Sequence, residues 1–266
     1  MKTRGELKAE ARELLAGNWG KAIVLNIIPI LGAVFAGVII TGAIALVAYL
    51  AQSGAFSGSE TSITETASNG AANSGGQLFS GLIGTLITTG IAYTTLDWLR
   101  TKNNDFSPVR GMFSVFSREY FVPVLVLYIL QAIFTFLWTL LFVIPGLIKS
   151  YSYSQTYYIY KDVNQKGEAN NLNYLDYITL SRELMNGHKF EMFVLQLSFI
   201  GWWLLVFLTF GIAAIWVYPY YQTTMSAYYK NLAGDKIYQL SRLSLSKRNT
   251  FGAIFSERIF LWSISK

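Results

Sequence analysis

The chain has 266 residues, of which 53% are hydrophobic and only 14% are charged. This composition is too apolar and too poor in charge for an ordinary soluble domain, so it predicts a membrane protein. The absence of cysteine excludes disulfides, thiol catalysis and cysteine metal sites, and the single histidine, His188, has no partner for a histidine cluster.

The N-terminal part of the chain alternates charged and apolar segments. Residues 1–20 carry interleaved basic and acidic side chains with apolar residues at helical spacing, which predicts an amphipathic helix on the membrane surface. The apolar run from Ala22 to Ala51 is too long for the core of a secretory signal and predicts a retained span. The stretch from Gln52 to Gln77 is rich in Ser, Gly, Ala, Thr and Asn, so we expect a disordered outer loop before a second span, Leu78 to Leu99.

Two further hairpins complete the predicted membrane domain. The third span ends at the turn signal Pro145-Gly146, and a glycine turn at Gly211 separates the fifth span from the sixth. The predicted third to sixth spans are Tyr120 to Ile144, Leu147 to about Val163, Phe190 to Phe210, and the run after Gly211 that ends at Tyr229. The sequence therefore predicts an all-α polytopic membrane protein with six transmembrane helices. Residues 1–232 form the predicted membrane domain, and residues 233–266 form a basic amphipathic cytoplasmic tail.

The distribution of basic residues predicts the topology. All Lys and Arg residues except Lys149 lie in the N-terminal lead-in, in the two long loops between hairpins or in the tail. By the positive-inside rule, both termini face the cytoplasm and the number of spans across the cell membrane is even. Lys149 lies next to the outer turn, from which its long side chain can reach the interface. The net charge of +6 suits anionic lipid headgroups, and no nucleic-acid partner is expected because no separate basic soluble domain is visible.

Similar lead-in segments indicate an internal repeat. Residues 12–17 are Arg-Glu-Leu-Leu-Ala-Gly and residues 182–187 are Arg-Glu-Leu-Met-Asn-Gly, while Ser-Arg-Glu at 117–119 matches Ser-Arg-Glu at 181–183. Downstream of each arginine, the following span carries one amide side chain: Asn26, Gln131 and Gln196. Either three copies of a surface helix plus hairpin surround a shared interior, where the amides find hydrogen-bond partners, or the short matches arise by chance among amphipathic helices.

The last hairpin carries the most specific motifs. They are Ser-Arg-Glu-Leu-Met-x-Gly-His-Lys at 181–189, Leu-Ser-Phe-Ile-Gly-Trp at 197–202, Thr-x-Gly-Ile at 209–212 and Pro-Tyr at 219–220. With these motifs, the chain resembles the domain of unknown function 975 family of bacterial integral membrane proteins, from about Arg4 to Tyr229. Pro145-Gly146, with the tyrosines that follow, is similar to the middle hairpin of that family. The resemblance implies a six-span cell-membrane protein without an established activity.

Polar residues inside the predicted spans are the candidate site. Tyrosines concentrate in the fourth and sixth spans, where they either form an interfacial aromatic belt and pack, or line a path for a ligand. The candidate polar interior consists of Asn26, Gln131, Gln155, Gln196, Gln222, Tyr153, Tyr157 and Tyr221. Asp97 is either a relay carboxylate or the partner of Arg100 at a cytoplasmic helix end. His188 with Glu191 resembles half a metal site, but the segment has no second histidine, so no metal is expected.

Catalysis requires groups that the predicted spans lack. Membrane proteases and phosphatases need paired carboxylates, histidine clusters or an activated nucleophile, and the predicted spans hold no such pair, with Asp97 as the candidate carboxylate. We therefore expect neither an enzyme nor a cofactor. The expected function is that of a structural or accessory membrane component, in contact with the lipid bilayer and a membrane-protein partner. The alternative is a passive or gradient-driven transporter or channel-like protein for a small polar or amphiphilic solute.

Overall fold

The structure is a computed structural model that describes residues 2–52, 64–167, 172–234, 236, 237 and 239. All regular secondary structure in these ranges is helical, which confirms the all-α class. In chain order the helices are α1 (Arg4–Leu15), α2 (Trp19–Leu25), α3 (Ile27–Gln52), α4 (Thr64–Thr101), α5 (Pro108–Met112), a 3-10 helix (Ser114–Phe116), α6 (Phe121–Leu141), α7 (Val143–Tyr153), α8 (Thr156–Gln165), α9 (Tyr174–Leu184), α10 (Lys189–Leu197), α11 (Ile200–Leu208) and α12 (Ala214–Ala233). Most of the predicted basic tail lies outside the described residues.

The chain divides into two compact units. The N-terminal unit comprises Lys2–Phe121 and Leu195–Ala227, and the central unit comprises Val122–Val194 together with the segment that starts at Tyr228. In the N-terminal unit, α5 packs against α2 and α4. In the central unit, α9 packs against both α7 and α8.

The lead-in helix α1 is amphipathic, as the sequence predicts, but its apolar face is covered by protein. Its first turn is capped by Thr3, whose backbone N–H donates to the Glu6 carboxylate at 2.7 Å. This hydrogen bond lowers the pKa of Glu6 below its usual value. Leu7, Ala11 and Leu15 lie one turn apart and are buried. These apolar side chains are therefore not available to a lipid surface.

The lead-ins before the first and last hairpins share a local design. Helix α9 begins as α1 does, because the backbone N–H of Asn173 donates to the Asp176 carboxylate at 2.8 Å. Each helix is followed by a glycine with positive φ, Gly17 at 76° and Gly187 at 82°. Non-glycine residues rarely adopt this conformation. The middle lead-in differs, since α5 has five residues and continues into a 3-10 helix.

The predicted outer loop at residues 52–77 is shorter than expected. Helix α4 already begins at Thr64 and runs without interruption to Thr101. A helix adds a hydrogen bond for each residue that joins it, so an apolar helix can extend into a polar stretch of Ala, Asn and Gly at low cost. Residues 53–63 lie outside the described part of the chain.

Three of the predicted spans are interrupted helices. The first is divided at Asn26 between α2 and α3, the fourth between Tyr153 and Thr156, and the fifth between Leu197 and Ile200. At the fourth, the backbone N–H of Ser154 donates to the carbonyl of Tyr151, three residues earlier, at 3.4 Å, which closes a tighter turn than the four-residue spacing of an α-helix.

Two helical segments among the described residues are long and apolar enough to cross a membrane: Phe121–Leu141 and Lys189–Leu208. The second is interrupted but continues through α10 and α11. Only 11% of the most apolar part of the first segment and 22% of the second is buried inside the protein. Both segments therefore present most of their apolar side chains outward.

Candidate functional site

Two of the predicted amides mark helix interruptions, and each has one unsatisfied oxygen. Asn26 is buried, and its Nδ2 donates to the carbonyl of Ala22 at 2.8 Å, while its Oδ1 has no partner among the described residues. Gln155 is buried at the start of α8, and its Oε1 also lacks a partner there. A buried amide oxygen without a donor is costly, so each position favours a water or a solute N–H or O–H group.

The other predicted amides lie within helices. Gln131 is half-buried on α6, and its Nε2 has no partner in the described structure. Gln196 is half-buried on α10, and Gln222 is buried on α12. The amides therefore differ in setting, and only Asn26 and Gln155 combine nearly complete burial with an unsatisfied oxygen.

The three predicted tyrosines pack against other aromatic rings or lie at the edge of the core. Tyr153 is buried, with its ring 6.3 Å from that of Phe134. Tyr157 and Tyr221 are half-buried, and Tyr221 lies edge-on to Phe199 at 5.3 Å. These contacts favour the packing interpretation of the tyrosines.

The eight predicted residues are distributed over both units. The N-terminal unit holds Asn26, Gln196, Gln222 and Tyr221, and the central unit holds Gln131, Gln155, Tyr153 and Tyr157. A surface pocket of about 460 Å³ lies elsewhere in the N-terminal unit. Its lining includes Asp97 with Asp105 and Arg110, so Asp97 belongs to a surface pocket at the end of α4.

One hydroxyl of α9 bridges the helix interruption between α7 and α8. Ser181 is fully buried, and its Oγ donates to the carbonyl of Ser152 at 2.8 Å. The same Oγ accepts from the backbone N–H of Gln155 at 3.3 Å. Ser181 thus satisfies one donor and one acceptor of the interrupted backbone.

The polar side chains at this interruption also meet α10. The Gln155 Nε2 donates to Ser154 Oγ at 2.9 Å and approaches Met192 Sδ at 3.4 Å. The Oγ of Ser154 lies 3.3 Å from the same sulfur. Because a thioether is a weak acceptor, the hydrogen bond from the Gln155 amide to Met192 is weak.

A buried carboxylate that is not among the residues predicted from the sequence lies two turns further along α8. The sequence places Asp162 and Lys161 where the predicted fourth span meets the inner loop, but they are 1% and 2% exposed. Tyr229 donates its hydroxyl to Asp162 Oδ2 at 2.7 Å, and the Tyr229 ring stacks on Tyr158 at 4.6 Å. The signal was present, since the spacing of 155, 158, 159 and 162 defines one continuous face of a helix.

A second buried tyrosine tightens the contact between α8 and α9. Tyr177 is 1% exposed, and its ring lies edge-on to Tyr160 at 5.2 Å. Burial raises the pKa of Tyr177 because the phenolate would lose its hydration. The interface between α8 and α9 is therefore a tyrosine-rich core with the polar interruption at one end.

The N-terminal unit contains a separate polar contact at the interruption between α10 and α11. The Nζ of Lys8 donates to the carbonyl of Ser198 at 3.2 Å and lies 4.4 Å from the centre of the Phe199 ring. Burial, with the charges of Arg4 and Arg12, lowers the pKa of Lys8. A cation near a carbonyl at a helix end is favourable.

The described residues contain no group of three metal-ligating side chains. The Nδ1 of His188 lies 3.0 Å from Glu191 Oε2, and this pair accounts for the half-site that the sequence suggested. The fold and the site define an all-helical protein that has apolar helices facing outward and helix interruptions lined by amide and hydroxyl groups.

The chain belongs to the family described as a protein of unknown function (DUF975). The model of that family matches residues 1–152 and residues 140–236. The family predicted from the hairpin motifs is thus confirmed. No curated protein and no solved structure matches the chain.

Proposed function

We propose that the protein is an integral cell-membrane protein that acts as a structural or accessory component of the bilayer. Its three helical hairpins place six helical segments in the membrane, each hairpin entering from the cytoplasmic side, and both termini lie on that side. The observation that carries the proposal is the outward-facing apolar surface of Phe121–Leu141 and Lys189–Leu208.

Exposure distinguishes these segments from the core helices of a soluble protein. A core helix buries its apolar side chains, but Phe136, Leu140 and Phe190 are 66%, 72% and 73% exposed. Water disfavours a surface of this kind by about 25 cal/mol for each Å² of apolar area. Acyl chains remove that cost, and large exposed apolar patches in general mark membrane or protein contacts.

The positive charges support the orientation of the hairpins. The basic residues of the sequence other than Lys149 lie in the lead-in, in the loops between hairpins and in the tail, and these segments fall on one side if every hairpin enters from that side. Anionic headgroups on the cytoplasmic leaflet are the partner that this charge favours.

Fractionation and reporter fusions test this proposal. The protein should stay in the membrane pellet after alkaline carbonate extraction. A fusion at Lys266 and a fusion within residues 70–76 should report opposite sides of the membrane. Release by carbonate, or two fusions that report the same side, would contradict it.

The accessory role is tested by photo-crosslinking from outward-facing positions. A photoreactive amino acid at Phe136 or Phe190 should give one reproducible protein adduct, whereas the same residue at Leu127, which is fully buried, should not. Lipid adducts alone at both outward positions would count against a protein partner.

A transport function is the second candidate, and the unsatisfied oxygens of Asn26 and Gln155 favour it. Buried polar groups at broken membrane helices can accept hydrogen bonds from a passing solute. Proteoliposomes that swell in glycerol, urea or glycine faster than empty liposomes would support this candidate. Gln155→Leu should then slow the swelling, and Gln165→Leu, at an exposed position, should not.

A further inference from the structure

The hairpin of α6 and α7 is shorter, measured from its base, than a crossing of the bilayer requires. The base of the hairpin is Ser152, where α9 holds the C-terminal arm: the Oγ of Ser181 donates to the carbonyl of Ser152 at 2.8 Å. The next residue, Arg182, is exposed, as is Glu183. Exposed charges of both signs place this end of α9 in water or among headgroups, not in the hydrocarbon.

The distance from that base to the tip of the hairpin follows from helix geometry. Ten residues separate Ser152 from Phe142, where α6 gives way to α7. At about 1.5 Å per residue they span about 15 Å, which is half of the hydrocarbon core of about 30 Å. The 21 residues of α6 and the 20 residues of Lys189–Leu208 each match the full thickness of about 30 Å, so the short arm of the hairpin is α7.

The pattern of burial along α7 gives the same length. Ile144 is 71% exposed, and burial becomes nearly complete from Ser152 onward. On α6, exposed apolar residues dominate from Ala132 to Leu141, and the first half is mixed, since Val124 and Leu127 are fully buried while Val122 and Ile129 are exposed. The outward-facing part of the α7 arm is therefore about ten residues long, or about 15 Å.

The base of the hairpin carries groups that prefer the interface. The Nζ of Lys149 lies 4.3 Å from the centre of the Trp138 ring. Arg182 and Lys189 are near enough for their charges to act on Lys149. Tryptophan and lysine side chains favour the headgroup level, and three cations together complement anionic lipids.

We propose that the hairpin of α6 and α7 is a re-entrant element that inserts into the cytoplasmic leaflet only. Its tip, residues 142–146, ends near the midplane among acyl chains, and Lys149 and Arg182 bind anionic headgroups at its base. The sequence predicted complete third and fourth spans with Lys149 near the outer side. In this arrangement neither segment crosses the bilayer, Lys149 lies on the inner side, and both termini remain on the cytoplasmic side. It rests on the proposed membrane location.

Depth-dependent quenching tests this proposal directly, because the natural chain has no cysteine that would compete for a label. A bimane label at Ile144→Cys is compared with a label at Ile212→Cys, in the turn between α11 and α12. Proteoliposomes of phosphatidylglycerol and phosphatidylcholine carry quenchers at either the headgroup or the deep acyl position. Ile144→Cys should be quenched most by the deep probe and Ile212→Cys most by the shallow one. Stronger shallow quenching of Ile144→Cys would overturn the proposal.

A second measurement uses intact cells and a membrane-impermeant maleimide. Ile212→Cys should react and Ile144→Cys should not, and reaction of Ile144→Cys from outside would also overturn the proposal. If Ile144→Cys fails to accumulate, Val143→Cys, which is 65% exposed, replaces it. A failure of the membrane location itself would look different, because carbonate would release the protein and neither lipid quencher would affect either label.

Discussion

Gly90→Ala tests the close approach of α4 and α5. A Cβ at Gly90 would overlap the carbonyl oxygen of Met112 and lie 3.0 Å from its carbonyl carbon. These are backbone atoms, which cannot rotate away as the end of a side chain does, so one helix must shift. Overpacking of this kind costs about 1–3 kcal/mol, and alanine regains up to about 1 kcal/mol of helix propensity. The free energy of unfolding should therefore fall by up to about 2 kcal/mol, and it should not rise.

Gly84→Ala, on the same helix, is the matched control for this variant. No atom lies within 4 Å of a Cβ at Gly84, so the substitution should stabilise the protein by about 0.5–1 kcal/mol through helix propensity alone. Both variants would be unfolded with sodium dodecyl sulfate in mixed micelles, with tryptophan fluorescence as the signal. If Gly90→Ala is as stable as Gly84→Ala, the described contact between α4 and α5 is wrong.

Three further substitutions probe the polar contacts. Tyr229→Phe should lower the free energy of unfolding by about 1–3 kcal/mol, because the buried Asp162 side chain loses the hydrogen bond that the Tyr229 hydroxyl donates; an unchanged unfolding midpoint would contradict that contact. Lys8→Met should lower the free energy of unfolding by about 1 kcal/mol. Lys8→Arg should restore part of this loss if a cation at the Ser198 carbonyl stabilises the fold. Because Tyr177 has a raised pKa, its contribution to the free energy of unfolding is complete below the ordinary tyrosine pKa near 10 and is lost as the pH rises further. Tyr177→Phe should therefore weaken the loss of stability above about pH 10, and an identical alkaline transition in both proteins would rule out this residue as its source.

The sequence predicts the lead-in helices well because their patterns are local. The apolar spacing of Leu7, Ala11 and Leu15 specifies a helix with one buried face, and the structure contains that helix. The match of residues 12–17 with residues 182–187 likewise anticipates two lead-ins that share a cap and a glycine turn. What the pattern could not specify was the surface that the apolar face contacts, because protein and lipid offer the same apolar environment.

The helix interruptions could not be predicted from local patterns. Nothing in the residues around Ser154 forces a break, since neither glycine nor proline stands there, and the group that stabilises the break is Ser181 on another helix. The same reason explains why the sequence pattern places Asp162 at the end of a span and not in the core. A carboxylate after a tyrosine-rich run usually indicates a helix end. Asp162 is buried instead because the hydroxyl of Tyr229, which is distant in sequence, donates a hydrogen bond to it. The amides Asn26 and Gln155 were identified from sequence, but their positions at interruptions were not.

The bridge made by Ser181 has a consequence for the order of synthesis. α7 and α8 leave the ribosome before α9, so the carbonyl of Ser152 and the N–H of Gln155 have no bridging hydroxyl at that stage. A continuous helix across residues 143–165 would pair both groups internally, which makes the continuous form the favoured one in the nascent chain. Docking of α9 then supplies the alternative partner and selects the interrupted form. The interruption between α7 and α8 is thus fixed late, by a serine that has not yet been synthesised when those two helices first form.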